Sequence, residues 1–323
     1  MKTLLMKCIR GGYRKIFTPR FARWSWCADE ELAETNRLIT QLLQSDKPCY
    51  IGRIGTTEGA IVLNYLTVHS NKPLLYKLWE YITDDTRLPW WDKGLPFKNI
   101  QVCSGFFAEN VGVKEMERFA ELYLKYIPTM DLCGRFSYVE KFYPFSDDCK
   151  MAQLESLYPF FVKHTWMEAL RGKKVLVVHP FKETILSQYE KREHLFPKDN
   201  WLTDFNLTVI KAVQTIAGQK SEFKDWFEAL EYMKSEIRKV DFDVAIIGCG
   251  AYGLPLAGYV KEIGKKAIHM GGGTQLLFGI KGKRWTVDYK NSCYRDLYNE
   301  YWVHPNFSET PAEARKVEGA CYW

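Results

Sequence analysis

Apolar residues in this chain fall into two kinds of pattern. Short apolar runs bounded by polar or glycine positions read as strands buried on both faces. They occupy residues 49–53, 174–178, 207–213, 244–247 and 267–270, with shorter candidates at 99–104 and ending at 131–134. Between them, apolar residues recur at helical spacing over 28–43, 60–66, 74–82, 113–126, 160–170, 184–192, 222–239 and 254–263. The clearest stripe is Trp226, Leu230, Met233 and Ile237, the signature of a helix laid on a core. Thr310 followed by Pro311 reads as the cap and first position of a last helix. Residues 138–145, the Trp90–Trp91 loop and the Tyr- and Trp-rich stretch beyond Trp285 fit neither pattern. Strand followed by helix, several times over, predicts an α/β, Rossmann-like fold: a largely parallel sheet with helices on both faces.

Three strand-to-helix turns carry candidate chemistry. The strand at 244–247 runs into Gly248-Cys249-Gly250-Ala251-Tyr252-Gly253, a G-x-G-x-x-G that opens a helix. Such a turn holds phosphate against backbone N–H groups and the helix dipole, although a tight, unliganded turn has the same sequence. Gly271, Gly272 and Gly273, after the following strand, allow close backbone approach. The strand at 49–53 runs into Arg53-Ile54-Gly55-Thr56-Thr57-Glu58. Arg53 suits phosphate through its planar fork. Glu58 suits sugar hydroxyls, a metal or a proton, and equally suits the dipole of the helix it begins. The strand at 174–178 ends in His179-Pro180-Phe181-Lys182, placing His179 and Lys182 at the same sheet edge. The basic loop containing Lys283 and Arg284 could close over a diphosphate.

Charge changes the picture at the N-terminus. The net charge is +6, yet residues 1–28 alone hold seven Lys and Arg and no acid, leaving −1 for the remainder. These charges are interleaved with aliphatic and aromatic residues, which suits the face of an anionic membrane. Nothing else in the chain resembles a nucleic-acid module. Leu4-Leu5-Met6 is too short for a signal peptide, and the nine cysteines form no C-x-x-C pair. The expected organisation is a basic aromatic arm over 1–28, a catalytic domain over 29–290 and an aromatic-rich tail over 291–323. The expected location is the cytoplasm, at the inner membrane face.

A dinucleotide site needs an acid about 20 residues after the glycine turn to hold a ribose. This chain carries His269 there. The sequence as a whole resembles the GT-D-type glycosyltransferases, bacterial enzymes of surface-glycan assembly. The resemblance rests on residues 53–58, on His179-Pro180-Phe181 and on residues 243–285, and spans roughly 49–285. It implies a Rossmann-like, GT-D-like fold, a nucleotide-diphosphate sugar donor, and a glycan or lipid-linked glycan acceptor. Founding members of that fold carry a D-x-E motif for the donor and its metal. Here Glu58 matches the Glu but Thr56 stands in place of the Asp, which leaves dependence on Mn or Mg open.

On that basis the donor diphosphate is expected over the turn formed by Gly248, Gly250, Ala251, Tyr252 and Gly253. Its charge is expected to be met by Arg53, Lys182, Lys283 and Arg284, with Gly55, Thr56, His179, His269, Gly271 and Gly272 completing the donor site. Glu58 is expected to orient the sugar or act as general base. Two rivals stand beside this reading: an NAD(P)-dependent oxidoreductase, and a non-catalytic nucleotide- or glycan-binding protein.

Overall fold

A computed structural model describes residues 2–17, 29–83, 86–160, 162–197, 202–288 and 293–323. The helices are α1 (Lys2–Ile16), α2 (Asp29–Gln44), α3 (Thr56–His69), α4 (Leu74–Ile82), α5 (Leu95–Ser104), α6 (Val113–Tyr126), α7 (Lys182–Glu190), α8 (Arg192–Leu195), α9 (Trp226–Arg238) and α10 (Gly253–Glu262). The strands are β1 (Cys49–Gly52), β2 (Leu132–Arg135), β3 (Lys150–Gln153), β4 (Lys174–His179), β5 (Asn206–Lys211), β6 (Val244–Ile247) and β7 (Lys266–His269).

The seven strands form one open sheet in the order β3-β2-β1-β7-β6-β4-β5, and every pair is parallel. This is the expected Rossmann-like α/β fold. From its centre the chain spreads in two directions, β1 to β3 on one side and β7 to β5 on the other. The crevice between such halves is where open α/β sheets hold ligands.

Apolar alternation distributes each strand between two cores. Tyr50, Leu176, Val178, Ala245 and Ile247 face α3, α5, α6, α9 and α10. Cys49, Ile51, Val175, Val177, Val244 and Ile246 face α2, α7 and α8. Period-two alternation with both faces apolar is what a strand covered by helices on each side requires. A carboxylate pins the register at the amino edge: Asp131 Oδ2 accepts from Tyr50 N at 2.7 Å and pairs with Lys261 of α10 at 2.7 Å. The first core centres on Trp226, fully buried and stacked on Tyr252 at 4.9 Å, with Phe106, Phe119 and Phe227 around it.

Three sequence expectations are corrected. Residues 99–104 are not a strand but the end of α5, whose buried Phe97, Ile100 and Ser104 follow helical spacing. Gly105, in the left-handed region at φ 77°, ends it. Among the described residues of 160–170 there is only a 3-10 turn, Trp166–Leu170, begun by Thr165 accepting from Met167 N. No α-helix follows Thr310: its hydroxyl donates back to Asn306 O at 3.2 Å, and only a 3-10 turn at Ala314–Lys316 comes after. Edge strand β3, absent from the sequence reading, has two exposed residues and lacks an apolar run. Of the N-terminal arm, α1 lies within the described residues and 18–28 lie outside them. No helix among the described residues is long and apolar enough to cross a membrane.

Trp226→Ala is expected to cost about 3–5 kcal/mol of unfolding free energy through the cavity it leaves. Tyr232→Ala, on the exposed face of the same helix, is expected to cost under ~1 kcal/mol. Urea titration of both variants, read at equal m-value, checks the contrast.

Candidate active site

The carboxyl ends of β1, β4, β6 and β7 open into a cavity of about 500 Å³. That is the size of a pocket for a small organic ligand. Its rim brings together most of the residues singled out from the sequence. Arg53, Gly55, Thr56, Glu58, His179, Gly248, Gly250, Tyr252, His269, Gly271, Gly272 and Arg284 all line it.

Arg53 leaves the end of β1 and lays its guanidinium over the Phe136 ring at 4.8 Å. Its Nε is buried and has no hydrogen-bond partner. No carboxylate pairs with it among the described residues, so the site holds a cation whose counter-charge is still to come. Gly271 makes room for it. That residue sits at φ 57°, and a Cβ there would lie 2.8 Å from Arg53 Nη1. A side chain at position 271 would therefore be strained twice, by backbone and by contact.

Glu58 stands in the first turn of α3 and is buried. Its carboxyl folds back over Gly55, where any Cβ would overlap it. Gly55 provides no side-chain cap, so the first N–H groups of α3 are available at the cavity rim. Helix α10 also lacks a side-chain cap, at Tyr252, but it continues the 3-10 turn Gly250–Tyr252, and its Gly253 N–H already donates to the Gly250 carbonyl. Helix α7 differs. Glu309 from the tail accepts from Glu183 N at 2.7 Å, from Thr184 N at 3.3 Å and from the Thr184 hydroxyl. That helix start is already satisfied by protein.

The two histidines are buried and neutral, and their partners assign opposite tautomers. His179 Nδ1 accepts from Phe181 N at 3.1 Å, so Nε2 carries the proton. His269 Nδ1 lies 3.1 Å from the Ile247 carbonyl and must donate to it, leaving Nε2 a bare acceptor. Burial holds His179 down at about 3. Burial, and then the charge of Arg53, hold His269 at about 3. Neither ring can serve as a cation for a diphosphate.

Four residues from the sequence reading do not line the cavity. Ala251 is buried with its carbonyl accepting from Tyr123 OH at 2.7 Å. Gly253 packs against the His269 ring, with no space for a Cβ. Lys182 begins α7, away from the cavity, and Lys283 Nζ donates to Gly319 O at 3.0 Å. Arg284 does reach the cavity, but pairs with Glu318 and donates to Tyr322 OH at 3.2 Å. Gly272 and Gly273, read as room for ligand, are faced by Tyr322 and Tyr158.

Other lining residues were not singled out from the sequence. Tyr158, Trp285, Tyr294, Tyr322 and Trp323 form aromatic wall. Glu155 adds a further carboxyl beside Glu58 and Glu318, its pKa pushed upward by burial. The sequence signal for this wall is the aromatic-rich tail over 291–323, which supplies Tyr294, Tyr322 and Trp323.

Among the described residues, no three His, Cys, Asp or Glu side chains gather to hold a metal ion. The D-x-E position offers Glu58 and the hydroxyl of Thr56. That donor set does not fit a divalent ion held by the protein. Comparison with protein-family models, curated proteins and solved structures finds no match to this chain.

The histidines yield a pH prediction. Both fold with a pKa near 3, below the ordinary 6.5. The unfolded chain therefore binds protons that the folded chain refuses, and stability falls as pH drops below 6.5. The slope approaches ~1.4 kcal/mol per pH unit for each ring. His304, also lowered by burial, adds in the same sense. Urea unfolding at pH 7, 6 and 5 should show this limb, and His269→Gln should flatten it by one proton. Stability unchanged from pH 7 to 5 would refute the neutral assignment.

Proposed function

We propose that this protein is a glycosyltransferase that takes a sugar from a nucleotide-diphosphate donor and passes it to a glycan acceptor. One observation carries the reading. An unpaired Arg53, the uncapped start of α3 and a buried Glu58 converge on one aromatic-walled cavity. A diphosphate supplies the anion that Arg53 lacks and accepts from the helix N–H groups. Aromatic faces such as Tyr158 and Tyr322 suit a nucleobase or sugar ring. His179 Nε2–H is a neutral donor for a phosphate or hydroxyl oxygen.

In this mechanism, transfer breaks the bond between the sugar and the diphosphate, and the departing oxygen gains charge. Arg53 and the start of α3 stabilise that charge without reorganising. Glu58 takes the proton of the attacking acceptor hydroxyl as general base. No step depends on a protein-held metal. At the position where a dinucleotide site places its ribose carboxylate stands His269, neutral and turned to the Ile247 carbonyl. The oxidoreductase reading therefore has no residue for that contact.

Thermal shifts against UDP-, GDP-, CMP- and dTDP-sugars, NAD and NADP test the reading. One class of nucleotide sugar is expected to stabilise the protein, by about 2.7 kcal/mol at 100 times its dissociation constant. Glu58→Gln is expected to keep that shift and lower turnover about 10²–10⁴-fold, whereas Arg53→Ala should weaken the shift itself. A shift with NAD or NADP alone, or full turnover in both variants, would overturn the assignment.

A further inference from the structure

Arg284 reaches the central cavity already holding an anion, and that anion belongs to the protein's own tail. Its Nη2 pairs with the Glu318 carboxylate, and its Nη1 donates to the Tyr322 hydroxyl at 3.2 Å. The tail backbone wraps the same place: Arg284 N donates to Cys321 O at 2.9 Å and Lys283 Nζ to Gly319 O at 3.0 Å. To bring Glu318 there, the chain holds Glu318, Gly319 and Ala320 in the left-handed region, at φ 47°, 69° and 71°. Two of the three are not glycine, so this turn is strained. The side chain of Glu318 is 57% exposed and that of Arg284 only 22%. The guanidinium is therefore fixed, while the carboxylate has water beside it.

Arg53 approaches the same place from β1. Its Nη1 lies 2.8 Å from the point where a Cβ on Gly271 would stand, and the Tyr322 ring lies 2.4 Å from the corresponding point on Gly272. Tyr322 thus neighbours Arg53 across the Gly271-Gly272 backbone and Arg284 through its hydroxyl. Burial raises the Tyr322 pKa, and Arg284 and Arg53 both pull it down. Burial, then Glu318 and Glu58, raise the Cys103 pKa, which Arg284 lowers, so the ion pair and Glu58 act on one thiol at the cavity wall.

Two guanidinium groups around one phenol, the first unpaired and the second capped by a half-exposed carboxylate, suit an anion with two linked charged groups. Arg53 offers its charge outright. Arg284 has to exchange partners, and an exposed carboxylate loses little by turning into water. The tail stays docked through the exchange, because Gln275 Nε2 still holds the Tyr322 carbonyl at 3.1 Å and Trp323 Nε1 the Glu309 carbonyl at 3.3 Å.

We propose that Glu318 stands in for ligand phosphate: it neutralises Arg284 until a diphosphate displaces it and bridges Arg53 and Arg284. The proposal rests on the transferase reading for one point only, that this diphosphate is the donor's.

Calorimetric titration of the full chain with inorganic pyrophosphate tests it. Glu318→Gln, a change at an exposed side chain, should tighten pyrophosphate binding about fivefold. Inorganic phosphate, too short to bridge, should gain less than about twofold from the same change. Arg284→Gln should weaken pyrophosphate about tenfold, and in that background Glu318→Gln should add almost nothing. Unchanged or weaker binding by Glu318→Gln overturns the proposal, since Glu318 then only fastens the tail. An equal gain with Arg284→Gln present also overturns it, since Glu318 then only repels anions. If melting shows that Arg284→Gln does not fold, the contrast between the two anions decides, and an equal gain for both overturns the bridge. Absence of pyrophosphate binding in both the native protein and Glu318→Gln overturns it as well. Binding as described, with no thermal shift from any nucleotide sugar, keeps the exchange and sinks the transferase reading instead.

Discussion

Every strand pair in this sheet is parallel, and the rest of the site follows from that constraint. A parallel strand must be followed by a crossover, so helices that follow strands begin at the same edge. Three such starts, those of α3, α7 and α10, stand at the carboxyl edge. Each brings N–H groups without intrahelical partners and the positive end of a dipole. Glu309 neutralises the start of α7. What remains unspent lies at α3, next to Arg53, since the first N–H of α10, on Gly253, donates to the Gly250 carbonyl. The anion-binding groups of the cavity thus come from connectivity and one arginine more than from a basic loop.

The other cations of the region are already engaged. Arg284 holds Glu318 and Tyr322, Lys283 holds the Gly319 carbonyl, and both histidines are neutral. An arginine without a partner is expensive inside a protein unless a ligand completes it. The same reasoning changes the meaning of the glycines. Gly253 makes room for His269, and Gly271 for Arg53. A G-x-G-x-x-G shows where backbone must approach something closely. Here much of that approach is by the protein's own side chains.

The fold was legible where burial on both faces forced apolar runs, as in β4 and β6, and where one face alone was buried, as in α6 and α9. It was illegible where burial was partial. Strand β3 shows its buried residue, Ala152, between polar or exposed neighbours, and an edge strand needs no more than that. Helix α5 hid because a short sequence with Ile100 and Val102 fits either period, and Phe97 lay outside the segment read as a strand. The site divides in the same way. Arg53, Glu58, His179 and His269 were visible because each stands at a strand end or helix start. Tyr158, Tyr294, Tyr322 and Trp323 come from 3-10 turns and irregular backbone, and only tertiary contact brings them to the cavity.

That irregular tail is bound to the site by more than proximity. Glu309 caps α7, Trp323 Nε1 donates to the Glu309 carbonyl at 3.3 Å, and Gln275 Nε2 holds the Tyr322 carbonyl at 3.1 Å. Tyr322 and Trp323 then wall the cavity, and Tyr322 accepts from Arg284. A ligand that touches these rings binds only where the tail is docked. By reciprocity it stabilises the docked tail by as much as docking favours the ligand. Tail and ligand therefore share one free energy: the last residues help set affinity at a site whose charged groups all stand at least 38 residues earlier, except Glu318.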